Sequence, residues 1–179
     1  MAAAPSVVVS STETAPQSKN DIEELTALID SAEKSLRESP KDEPARNSLA
    51  LYQQQRADQL YAEGRDARAL ADIERLVPSD LAQPKAFVLR GDILVNQSRP
   101  DFLGAIAAYT QALDNSQISA SNAANVLGKR CRAHMAIENW ALSEADCTQS
   151  PSFNSTNPDI YAALNLNAAT FCTIIFHIC

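Results

Sequence analysis

Glycine is scarce, with 4 in 179 residues, which argues against a fold built from tight hairpin turns and suits helices. Aromatic side chains make up 6% and tryptophan occurs once, so an apolar fraction of 45% means a core filled mainly by Ala, Leu, Ile and Val. Only two histidines are present, His134 and His177, and neither has a partner at metal-ligand spacing. His134 lies three residues after Cys131 on the same helical face, a pair best read as packing plus an imidazole at the surface. The phosphate-cradling glycine loops and the nucleophile elbow are missing. Cys147 sits beside Asp146, but adjacent residues on a helix point in different directions, and nothing nearby supplies a base in an electropositive setting. The expectation is a protein without catalysis, cofactor or metal.

Other absences limit the compartment and the partners. No window reaches the roughly 18 consecutive apolar residues of a membrane-spanning helix. The start, Met1 to Ser11, lacks the basic residues and the apolar run of about 7–15 residues that mark a signal peptide. A net charge of −7 disfavours general binding to nucleic acid or to an anionic membrane, both of which need clustered Lys and Arg. The four cysteines, Cys131, Cys147, Cys172 and Cys179, show neither C-x-x-C spacing nor the density of a secreted disulfide scaffold. Reduced thiols in a cytoplasmic or nuclear protein are the simplest expectation.

What the sequence does contain is a repeated pattern. Residues 129–147 read as two short helices around a turn: Cys131, Met135 and Ile137 stripe the first, Glu138-Asn139 break it, and Trp140, Ser143 and Cys147 stripe the second. A unit this small cannot bury its own apolar face and needs neighbours of the same build. Upstream, Arg56-Ala57, the break at Gly64, then Ala69, Ile73 and Leu76 form one copy. Arg90-Gly91, a break at Asn96 to Pro100, then Ala105, Tyr109 and Ala112 form another. The middle copy holds two extra residues in its inner turn, at Pro100-Asp101. Small residues recur in the first helix (Ala57, Gly91, Cys131) and in the second (Ala69, Ala105, Ser143). Two antiparallel helices approach closely only where side chains are short, and Ile73 and Tyr109 then fill the groove toward the next pair.

Residues 1–19 lack periodicity and read as a disordered leader. A helix is expected over 20–39, capped by Asn20 with Glu23, striped by Ile22, Leu25, Ile29, Ala32 and Leu36, and ended by Ser39-Pro40 and Glu43-Pro44. Three repeats follow within 45–157, at about 50–83, 84–123 and 124–157. Residues 158–179 begin like a fourth unit, with Tyr161, Leu164, Ala168 and Ala169. They then run into Phe171–Cys179, an apolar tail with almost no solvating residues, unlike the polar end of a solenoid. That tail suggests a fragment or alternative end of a longer repeat protein, or a surface for self-association.

The spacing and the small residues resemble the tetratricopeptide repeat, most closely where Phe87, Gly91, Leu94, Ala105, Tyr109 and Ala112 fall on the signature positions. Ser143 and Ser150 depart from it, standing where Ala is usual. The resemblance implies an all-α, right-handed α-solenoid of antiparallel helix pairs with an extra N-terminal helix. It further implies that the first helix of each pair lines a concave groove that receives an extended or helical peptide of another protein. By spacing, groove residues would be Gln54, Asp58, Tyr61, Lys85, Asp92, Asn96, Asn125, Lys129, Arg132 and Met135, with Leu51, Ala62, Val88, Val95, Gly128 and Ala136 beside them. Asp58 and Asp92 would make the early part acidic, and Lys129, Arg130 and Arg132 would make the third repeat basic.

The function expected is therefore an adaptor. The competing reading is a docking or regulatory domain of a longer enzyme or co-chaperone-like protein. One subclass of the family grips the acidic carboxyl-terminal tails of chaperones with Lys, Asn and Arg in successive first helices. Gln54, Asp58, Leu89, Asn125 and Lys129 stand at those places, so at most Lys129 survives, and Asp58 would repel a carboxylate. Calorimetry with a chaperone tail peptide should therefore show no complex in the micromolar range.

Overall fold

A computed structural model describes residues 18–150. Among these there are seven helices and no strand: α1 (Ser18–Glu38), α2 (Glu43–Ala62), α3 (Asp66–Leu76), α4 (Pro84–Asn96), α5 (Phe102–Asp114), α6 (Ala120–Ala136) and α7 (Trp140–Gln149). Each packs chiefly on its neighbours in sequence, and α2 also touches α4. The result is an all-α helical repeat of antiparallel pairs, α2/α3, α4/α5 and α6/α7, with α1 laid against α2. The expected leader up to residue 17 and the segment 151–179, with its fourth unit and apolar tail, lie outside the described residues.

Helix starts follow local capping chemistry. Asp42 accepts a hydrogen bond from the Ala45 amide at 3.1 Å, Asp101 from Gly104 at 2.9 Å and Ser119 from Asn122 at 3.2 Å, each satisfying an otherwise orphaned N–H. Two expectations need correcting here. The first helix begins at Ser18, ahead of Asn20. Pro44 does not help to close that helix but sits in the first turn of α2, where a proline's missing N–H costs nothing.

The seam within each pair is built from small residues. Ala57, Ala69, Ala86, Ala105, Ala108 and Ala112 are all fully buried, and Ser143 takes the place of Ala69 and Ala105. Its hydroxyl is no burden there because it donates to the Cys131 carbonyl at 3.2 Å. Ser150 likewise donates to the Ala124 carbonyl at 2.7 Å. One seam position is filled in three ways. Ala57 and Ile73 share a buried cluster in the first pair. In the second, Gly91 lies so close to the Tyr109 ring that a Cβ there would come within 2.4 Å of it. In the third, Cys131 and Cys147 are joined by a disulfide across α6 and α7, with Cα atoms 5.4 Å apart. The expectation of reduced thiols is thus corrected for this pair. Their placement as buried packing residues is what brings the two sulfurs together.

Two inner turns share one geometry. At α2/α3, the Arg65 amide bonds the Leu60 carbonyl at 2.8 Å and the Gly64 amide bonds Tyr61 at 2.9 Å, with Gly64 at φ +71°. At α6/α7, Asn139 bonds His134 at 2.9 Å and Glu138 bonds Met135 at 3.0 Å, with Glu138 at φ +60°. Both are left-handed helix ends of the Schellman type, for which glycine is the favoured residue. In the middle pair the amide that returns to the corresponding carbonyl, Leu94, belongs to Asp101 at 3.0 Å. That amide comes two residues later than in the other pairs, matching the insertion read at Pro100-Asp101. Glu138 therefore carries a steric strain that Gly64 does not. Glu138→Gly should raise stability by about 0.5–1 kcal/mol. Thermal unfolding should show a Tm higher by a few degrees, and Gly64→Ala should lower it; a neutral or lower Tm for Glu138→Gly would sink the assignment.

Candidate functional site

The first helices of the three pairs carry all ten expected residues: Gln54, Asp58 and Tyr61 on α2, Lys85, Asp92 and Asn96 on α4, and Asn125, Lys129, Arg132 and Met135 on α6. Direct hydrogen bonds tie these helices along one face. Lys85 Nζ donates to Asp58 Oδ2 at 2.5 Å, and Gln54 Nε2 donates to Asp58 Oδ1 at 3.1 Å. Asn96 Nδ2 donates to the Tyr61 hydroxyl at 2.8 Å, linking α4 back to α2. Lys129 Nζ donates to Asp92 Oδ2, linking α6 back to α4. The Tyr109 hydroxyl, from α5 beneath, donates to Asp92 Oδ1 at 2.9 Å. Burial and the adjacent Asp92 carboxylate push the Tyr109 phenol far above its ordinary range, so it stays a protonated donor.

Between these groups is a hollow of about 270 Å³, lined by Tyr61, Asp92, Val95, Asn96, Phe102, Tyr109, Lys129, Arg132 and Ala133. Five of the ten expected residues therefore meet there. Gln54 lines a second hollow of about 280 Å³ beside Leu51, Leu76 and Leu81. Asp58 and Lys85 form a bridge between α2 and α4, Asn125 is exposed, and Met135 reaches neither hollow. Gly128 is buried and lines neither hollow. Phe102 and Tyr109 escaped the sequence reading because they come from a second helix. The available signal was the hydroxyl of Tyr109, a polar atom at an interlocking position that needs a partner.

The charge pattern differs from the one expected. Asp58 and Asp92 do not form an acidic end, because each is neutralised by a lysine of the following first helix. Lys129 is used in this way, and Arg130 points to the opposite side of α6. There it forms a bidentate pair with Asp146 of α7, at 2.7 Å on both arms, and donates to Thr110 of α5 at 2.9 Å. Arg56 does the same with Asp72, at 2.7 and 2.6 Å, and with Thr26 at 3.1 Å. Both guanidinium pKa values are raised, first by these hydrogen bonds. On the hollow's rim Arg132 is exposed and has no ion pair among the described residues.

The chain's sequence matches no known family profile and no curated protein. Its fold is similar to the crystal structure of MamA, with a TM-score of 0.56 and 12% identity, over 86% of this chain and 83% of that one. At that identity the likeness concerns the fold alone, an all-α helical repeat. Among the described residues, no helix is long and apolar enough to cross a membrane, and no group of three His, Cys, Asp or Glu side chains is placed to hold a metal.

Beside the Arg130 clamp, His134 is buried, with Nε2 4.0 Å from Asp146 Oδ2 and Nδ1 without a hydrogen-bond partner among the described residues. Burial lowers its pKa, Arg130 adds to the effect, and Asp146 opposes it. The unfolded chain therefore takes up a proton near pH 6.5 that the folded chain refuses, so the histidine's contribution is intact above that pH and lost below it. Denaturant midpoints from pH 7.5 to 5.5 should fall for the wild type, with a slope of up to ~1.4 kcal/mol per pH unit from this site. His134→Gln should flatten the curve; parallel curves for the two proteins would contradict the assignment.

Proposed function

We propose that the face formed by α2, α4 and α6 is the concave binding surface of a non-catalytic adaptor, and that it receives a peptide segment of a partner protein. The observation that carries this reading is the hollow between Tyr61, Asn96, Lys129 and Arg132, where three first helices contribute to one continuous polar and aromatic surface. Its acid and base groups are bound to each other, a state that suits a preorganised recognition surface better than proton transfer. The binding groups include aromatic rings and an arginine, the side chains that most often anchor a protein partner. The Cys131–Cys147 disulfide removes the reduced thiols from which a cytoplasmic or nuclear setting was expected.

The reading is tested by placing a photo-crosslinking residue at Asn96, on the hollow, or at Leu142, which is 51% exposed on α7. In extract from the native cell, Asn96 should give discrete polypeptide adducts that Arg132→Glu reduces several-fold, and Leu142 should not. Equal labelling from both positions, or adducts indifferent to Arg132→Glu, would show that the groove is misassigned.

A further inference from the structure

We infer that the hollow selects a peptide with one acidic side chain next to an aromatic or long aliphatic one, and that Arg132 is the anchor for its carboxylate. The inference rests on the reading of this face as the peptide-binding surface and adds the chemistry of the ligand. Five charged side chains lie along the face, and four are consumed in the Asp58–Lys85 and Asp92–Lys129 pairs. Arg132 is left over, exposed at the rim with no ion pair among the described residues. A guanidinium with its full fork of donors toward an open hollow fits a planar carboxylate, to which it can bond through two parallel N–H groups.

The same hollow limits what the anion can be. Asp92 and Lys129 in its wall are paired with each other, so the hollow offers one unpaired positive charge, that of Arg132, which balances a single carboxylate and not a doubly charged phosphoryl group. The chain's charge of −7 opposes an extended polyanion such as nucleic acid. The remaining wall, Val95, Phe102, Ala133 and the Tyr109 ring, is apolar. Its volume of about 270 Å³ lies just under the range of ~300–1,000 Å³ typical of small-molecule sites, which suits one large side chain better than a cofactor. Tyr61 and Asn96, bonded to each other at 2.8 Å, retain a hydroxyl proton and an amide oxygen for the peptide backbone.

The test uses the full chain and a displayed library of random dodecapeptides, with selected peptides synthesised and titrated by calorimetry and by amide shift mapping on the isotope-labelled protein. Selected sequences should be enriched in Asp or Glu within two positions of Phe, Leu, Ile or Trp, and should shift amides of Asn96 and Arg132. Arg132→Gln should weaken binding about tenfold, as expected for loss of one charge-assisted contact. Replacing the peptide's acid by its amide should cost the wild type a similar factor and cost Arg132→Gln nothing further. Unchanged thermal unfolding of Arg132→Gln would confirm that the loss is one of recognition. Peptides that shift the hollow's amides without acidic preference, or that bind Arg132→Gln equally well, would overturn the carboxylate anchor and leave the groove reading standing. A selection yielding no peptide that perturbs the hollow would overturn both.

Discussion

A guanidinium that reaches from the first helix of a pair to the second helices on either side is what binds the pairs into one stack. Arg56 holds Asp72 in its own pair and Thr26 in the helix before; Arg130 holds Asp146 and Thr110 in the same relation. The threonines can serve because each hydroxyl gives its proton to the carbonyl one turn back, Ile22 or Ile106, and presents its oxygen to the arginine. Arg90 stands at the same place with Ala108 where the carboxylate would be, and it turns to Glu74, which occupies the threonine's position in the preceding helix. Asp72 and Asp146 are both 4% exposed, so removing the arginine would strand a buried charge. Successive pairs touch only their neighbours, and these bridges supply directional contacts where the small-residue seams supply none.

The seams were the most legible part of the fold. Recurring Ala, Gly and Cys at matching offsets located the close approaches, and Gly64 and Glu138-Asn139 located the turns, because a helix crossing and a left-handed helix end each admit few residue types. The way one seam position is filled three times over was only half legible. That Cys131 stands where Ala57 and Gly91 stand identified it as a packing residue. That Cys147 is its bonded partner depends on a distance between two helices, and spacing in the sequence does not report such distances. The ends of helices were read least well, since Pro44 can close one helix or open the next. Asp42 decides between them by capping α2.

The hollow was legible as a set of residues and illegible as a charge distribution. Helical spacing put Asp58, Asp92, Lys85 and Lys129 on one face, but summing charge along the chain treated them as independent. In the folded chain each carboxylate lies between consecutive first helices, where the lysine of the next one reaches it. A charged pair at this distance lowers the cost of crowding two helices' polar faces together and also removes both charges from the long-range field. The acid-to-base gradient expected from the sequence therefore collapses into local pairs.

Lys129, Arg130 and Arg132 show why such a collapse leaves one cation open. A helix turns by about 100° per residue, so positions 129 and 132 share a face and position 130 lies away from it. Lys129 is high on that face and within reach of Asp92; Arg130, on the far side, is taken by Asp146 and Thr110. Arg132 lies nearly a turn beyond Lys129, at the rim of the hollow, past the carboxylate that could have neutralised it. The clamp and the hollow thus draw on neighbouring residues of one helix. Fixing Arg130 against α7 fixes the rotation of α6, and with it the direction in which Arg132 faces the open hollow.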